Sequence, residues 1–173
     1  LVANTTASNN VAVGRSALVT NTTGDCNVAV GKSALANNLT GTRNIAIGEN
    51  ALKANTSASF NVGIGHRALC NTTTGASNIA IGTCSMRLNT EGDNNTAVGD
   101  KALCANTTGV NNVAVGCGAL VANTTGNNNT ALGFESLIAN TTGESNVALG
   151  RTTLFSNTTG ALNTAVGTYS LDA

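Results

Sequence analysis

The chain has a single histidine, His66, and acid–base or nucleophilic catalysis would have to begin there, since imidazole alone titrates near neutral pH without help. Such catalysis needs other titratable groups converging in a pocket. Asp25, Asp93 and Glu144 occupy equivalent places of a repeat but lie four and then three repeats apart, beyond the separation of a carboxylate pair. They read as solvated charges, and His66 as a surface histidine. Gly31-Lys32-Ser33 has the ending of a phosphate-binding loop without the full glycine-rich motif, and the glycine-aspartate nonapeptide that binds calcium in other rolls is absent. No catalytic residue, metal ligand or cofactor is expected, and the chain does not read as an enzyme.

Two other residue classes could carry chemistry. Cys26, Cys70, Cys84, Cys104 and Cys117 are odd in number, so they cannot all pair within one chain. Cys70 and Cys104 stand two repeats apart, about 9.6 Å if each repeat adds one strand, too far for a disulfide. Free thiols are the expectation, with an interchain bridge as the alternative. Asn-x-(Ser/Thr) sequons make Asn4, Asn21, Asn38, Asn55, Asn71, Asn94, Asn106, Asn123, Asn128, Asn140 and Asn157 candidate glycosylation sites, most of them on one ladder. Repetition of an Asn-Thr-Thr-Gly turn generates the same sequons without any sugar.

What positions these residues is a 17-residue repeat. Asn10, Asn27, Asn44, Asn61, Asn78, Asn95, Asn112, Asn129, Asn146 and Asn163 are evenly spaced. Four residues after each comes a glycine that ends an extended segment where the chain must turn: Gly14, Gly31, Gly48, Gly65, Gly82, Gly99, Gly116, Gly133, Gly150 and Gly167. Counting from the asparagine, position 2 is Val, Ile or Thr, position 3 is Ala except Gly63, and position 4 is Val, Ile or Leu. Position 9 is Leu except Met86. The unit is too short for a helical hairpin and lacks apolar spacing at three and four, whereas positions 2–4 have a strand's period of two. An all-β solenoid, or parallel β-roll, of about ten coils follows, spanning 1–173 as one array and flattened into a two-stranded cross-section.

Every Asp, Glu, Lys and Arg falls on positions 6, 7, 10, 14, 16 or 17, which marks those positions as the solvent face. The uncharged positions then form interior and turns, where identical Asn or Thr side chains bond from coil to coil. With positions 2 and 4 turned into the roll, the nearly invariant Ala at position 3 faces outward, and a small apolar residue there implies that a second copy covers it. The net charge is zero and Lys and Arg are scattered, so no basic stripe and no nucleic-acid partner are expected. No apolar run is long enough to span a bilayer. Neither end carries an atypical capping repeat, which suggests a piece of a longer chain or head-to-tail stacking.

The element Asn-(Val/Ile/Thr)-Ala-(Val/Ile/Leu)-Gly, as in Asn27-Val28-Ala29-Val30-Gly31 and Asn44-Ile45-Ala46-Ile47-Gly48, resembles the head repeat of trimeric autotransporter adhesins. The longer unit, as in Asn106-Thr107-Thr108-Gly109 leading to Asn112-Val113-Ala114-Val115-Gly116, is similar to repeats of phage tail-fibre-type proteins. The resemblance covers the whole chain and implies a left-handed, trimeric parallel β-roll on a cell surface or virion. A structural extracellular fibre or adhesin-type shaft or head is therefore expected, acting by rigid display and attachment. Its expected partners are other copies of itself and a host-surface protein or glycan. Two alternatives stand beside it: an end-to-end filament with a glycosylated Asn ladder, and an ice-binding solenoid using Thr22/Thr23, Thr107/Thr108, Thr124/Thr125 and Thr141/Thr142.

Overall fold

The structure, a computed structural model, describes residues 2–171. Each repeat contributes one three-residue strand: β1 Val11–Val13, β2 Val28–Val30, β3 Ile45–Ile47, β4 Val62–Ile64, β5 Ile79–Ile81, β6 Thr96–Val98, β7 Val113–Val115, β8 Thr130–Leu132, β9 Val147–Leu149 and β10 Thr164–Val166. The strands form a single ten-stranded parallel sheet in sequence order. Pairing is in strict register, Val11 opposite Val28 and Ala12 opposite Ala29, and the same holds up to Ala148 and Ala165. At a strand spacing of about 4.8 Å the sheet is roughly 43 Å long. The chain is thus a β-solenoid.

The cross-section corrects one expectation: among the described residues there is no second strand per coil. The return side is made of turns instead. After the strand, the N–H of position 8 bonds the carbonyl of the position-5 glycine, as Ala34 does to Gly31 at 3.3 Å, and the next turn closes when Asn38 donates to Leu35 at 3.2 Å. Position 7 takes positive φ inside the first turn (Ser33, 56°), where a type II turn needs it. Position 9 does the same (Leu35, 49°), as does position 17 (Arg43, 55°). Left-handed backbone at a leucine costs roughly 1–2 kcal/mol, and it persists because the side chain it aims inward is fully buried. The remaining N–H groups bond to neighbouring coils in both directions: Ser33 reaches back to Arg15 and Leu35 forward to Ala51.

The interior is narrow. Position 9 supplies its large side chains, Leu18, Leu35, Leu52, Leu69, Met86, Leu103, Leu120 and Leu137, all with no solvent exposure. Small residues at positions 3 and 8 fill the rest, such as Ala46 and Ala51. Two asparagine ladders run alongside. At position 1, Asn44 donates its backbone N–H to Asn27 Oδ1 at 2.9 Å and its Nδ2 to the Ala58 carbonyl at 2.9 Å. At position 12, Asn38 Nδ2 donates to Asn21 Oδ1 at 2.7 Å and to the Gly41 carbonyl at 2.9 Å. Polar side chains this deep must be bonded, and stacking identical amides one coil apart supplies the partners. A core too thin to gain much from apolar burial is closed by these hydrogen bonds.

Candidate interaction surfaces

The strands present their faces the opposite way to the sequence expectation. Position 3 points inward: Ala29, Ala46, Ala80, Ala97 and Ala114 have no exposure. Positions 2 and 4 point outward, with Val13 57% exposed, Ile47 39% and Ile81 39%. The reason is steric. The space facing the sheet is already filled by the position-9 leucines, so a side chain no larger than a methyl fits: a Cβ built on Gly63 would lie 3.3 Å from Leu52 Cγ. The branched residues are left outside, where they stack in register into two parallel columns along the whole sheet. Only Thr96, Thr130 and Thr164 interrupt them with a hydroxyl. An exposed apolar ribbon of this length exceeds the scattered single apolar residues of an ordinary surface.

A second surface lies on the return side. Lys53, Arg67 and Arg87 converge with Asn50, Cys70 and Asn71 around a cleft of about 180 Å³. Burial pushes the Cys70 thiol up, against the pull of Lys53, Arg67 and Arg87, so it stays protonated at neutral pH. Arg87 is held in its charged form by a hydrogen bond to Cys104. Folding thus gathers cations that the linear sequence scatters, a feature that the 17-residue register reveals only when positions 7 and 10 are compared together. A larger recess of about 310 Å³, at the last coil, is lined by Leu154, Ser156, Asn157, Thr158, Gly160, Asn163 and Leu171. No titratable side chain lines it.

The other sequence candidates disperse along the rod. His66 is exposed, and among the described residues no three His, Cys, Asp or Glu side chains are placed to hold a metal ion. The position-16 acids are clasps between coils rather than merely solvated charges. Asp25 Oδ1 accepts from the Ser8 N–H and Asp93 Oδ1 from the Ala76 N–H, each at 2.6 Å, and Glu144 accepts from Asn127 Nδ2 at 3.0 Å. All five cysteines are free thiols, Cys26 and Cys117 being exposed and Cys70, Cys84 and Cys104 half-buried. The position-5 glycines have φ between Gly167's 119° and Gly133's 139°.

The sugar-coated edge needs correction. Asn21, Asn38, Asn55, Asn106, Asn123 and Asn140 are fully buried, and the Nδ2 that a glycan would occupy donates to the ladder or, at Asn21, to the Gly24 carbonyl. Asn4, Asn71, Asn94 and Asn128 are exposed, and Asn157 is half-buried with Nδ2 bonded to Asn140 and Gly160. A folded rod cannot carry sugar at every coil. Half of the threonine ladder is also engaged: the Thr107, Thr124 and Thr141 hydroxyls donate to the carbonyls of Thr124, Thr141 and Thr158. That leaves a single exposed file, Thr108, Thr125 and Thr142, for ordering water.

No family model, curated protein or solved structure matches the chain. Among the described residues no helix is long and apolar enough to cross a membrane.

Proposed function

We propose that the chain is a structural display element, a segment of an extracellular fibre or adhesin-type shaft or head, and that it works as a homotrimer of left-handed rolls packed on their sheets. The observation that carries this reading is the ribbon of Val, Ile and Leu side chains on positions 2 and 4, interrupted only by Thr96, Thr130 and Thr164. Three flat ribbons facing a common axis cover one another completely, because the same residues recur at the same height in every copy. Fully burying a Val or Ile side chain contributes about 1.5–3 kcal/mol relative to full exposure. Even half that gain, repeated along ten coils, exceeds the cost of association. Function then comes from length, stiffness and repeated presentation of the outer edges. Light scattering after size separation tests it: a native mass three times the 17.1 kDa chain is expected, and a monomer at micromolar concentration would overturn it.

A further inference from the structure

Position 10 is apolar along most of the rod, being Val19, Ala36, Val121, Ile138 and Phe155, but in four consecutive coils it becomes Lys53, Cys70, Arg87 and Cys104. Position 7 of those same coils reads Asn50, Arg67, Cys84 and Lys101. The two columns form a checkerboard, with one cation in every coil and never two stacked directly in one column. Like charges one coil apart, about 4.8 Å, would repel across the stack. Staggering holds cations of the same column about 9.6 Å apart while keeping the line of charge continuous.

Little of this charge is paired within the described residues: Arg67 feels the Glu49 carboxylate at a distance without forming an ion pair with it. Among the described residues the one ion pair is Lys32–Glu49 at 3.0 Å. Lys53, Arg67 and Arg87 have no carboxylate partner, although they meet at one cleft. Glu49, the acid that acts on Arg67, sits on position 6 and is already engaged by Lys32. Neutral Asn50, Asn71 and Cys70 complete the lining.

We propose that this checkerboard is a receptor for sulfate esters on an extended anionic glycan. Guanidinium forks and amide N–H groups suit a tetrahedral oxyanion, and a cation in each of four coils suits a linear chain bearing charge on successive sugars. A single-stranded nucleic acid also offers a linear polyanion, but its grip depends on aromatic platforms for the bases. None of the chain's aromatic residues lines the cleft: Phe60 lies beneath Arg43, while Phe134 and Tyr169 flank Arg151. The assignment gives the display reading its ligand class and rests on that reading for its biological setting. The cleft itself is built within one chain, and no ribbon residue lines it.

The test is calorimetric titration of the intact chain, at low ionic strength, with a sulfated linear oligosaccharide, its desulfated counterpart, inorganic sulfate and a single-stranded oligonucleotide. The sulfated oligosaccharide is expected to bind, the desulfated one not, and inorganic sulfate more weakly. Arg67→Gln and Arg87→Gln should each cost about tenfold and flatten the dependence of log K on log salt by roughly 0.7–0.9. Arg15→Gln, on a distant coil, should leave both unchanged. Equal binding of the desulfated chain, equal loss with Arg15→Gln, inorganic sulfate matching the polymer, or tighter binding of the oligonucleotide would each overturn the assignment. Native mass and melting of the arginine variants should match the parent. A chain that proves monomeric yet still binds the sulfated oligosaccharide would defeat the trimer and leave the receptor standing.

Discussion

Ala114 and Val115 are neighbours on β7, with the same backbone and pairing, yet Ala114 is fully buried while Val115 remains half-exposed. The same inversion holds on every strand of the sheet. In an ordinary half-buried sheet the larger apolar residues face the core. Here the interior admits only a methyl beside each position-9 leucine, and two amide ladders do the work that bulk would do elsewhere. Large apolar residues retained on the outer face need another reason to be there. Interior and ribbon thus answer to separate demands, one to closing a single coil and the other, in the proposed trimer, to joining coils of different chains.

Substituting arginine at each neighbour tests that separation most severely. Ala114→Arg forces an unpaired guanidinium into a site with no exposure, a loss expected to exceed about 4 kcal/mol. Far-UV circular dichroism and melting should report unfolding of the central coils. Val115→Arg leaves the coil intact, since that side chain already meets solvent, but places repelling charges in the proposed trimer axis. Its native mass should fall to that of one chain with little change in monomer secondary structure. If both variants unfold, or both stay assembled, the two faces are not separable.

Gly82 stands where the strand leaves the ribbon and turns toward the interior, so it bears on both regions. Its φ is +133°, and an added Cβ would lie 2.6 Å from the Gly99 carbonyl carbon. Backbone in that region belongs to glycine almost alone. Gly82→Ala should therefore destabilise the array by about 2–3 kcal/mol, read as a lower melting temperature. A neutral result would mean that neighbouring coils slide apart more easily than the shared register implies.

The period, the parallel stacking, the charged positions and the asparagine ladders were all legible in the sequence, because each depends on identical residues meeting at a fixed interval. The orientation of the strand was not. Val-Ala-Val satisfies a period of two whichever face is inward, and the arbiter is the left-handed backbone at Leu18, Leu35 and their equivalents, a conformation leucine rarely adopts and composition does not signal. The same turns explain why a second strand was expected and is absent. The cationic cleft was missed for a different reason: Lys53, Arg67 and Arg87 lie on two positions, so no single column looks basic. Asn71 illustrates a register error of one residue. As a sequon it resembles Asn55 and Asn106, but in the coil it is exposed, and Thr72 occupies the ladder place.

That single exchange leaves a fault in the interior, and repairing it is the smallest of these tests. Asn55 Oδ1 and the Thr72 hydroxyl are both buried without a hydrogen-bond partner. Beyond the gap, Asn89 Nδ2 donates to the Gly92 carbonyl at 3.0 Å, while the next rung, Asn106 to Asn89 Oδ1 at 2.8 Å, resumes the ladder. Thr and Asn are close in volume, so Thr72→Asn can supply an amide that donates to Asn55 and accepts from Asn89 without enlarging the core. Satisfying buried polar groups in this way is worth about 1–2 kcal/mol. A gain of that size raises Tm by roughly 2–8 °C for a chain of this length. The ribbon is untouched, so native mass should not change. A rise in Tm at constant mass would show that interior hydrogen bonds set the stability of the coil independently of assembly, whereas a change in mass without a change in Tm would tie the two regions together.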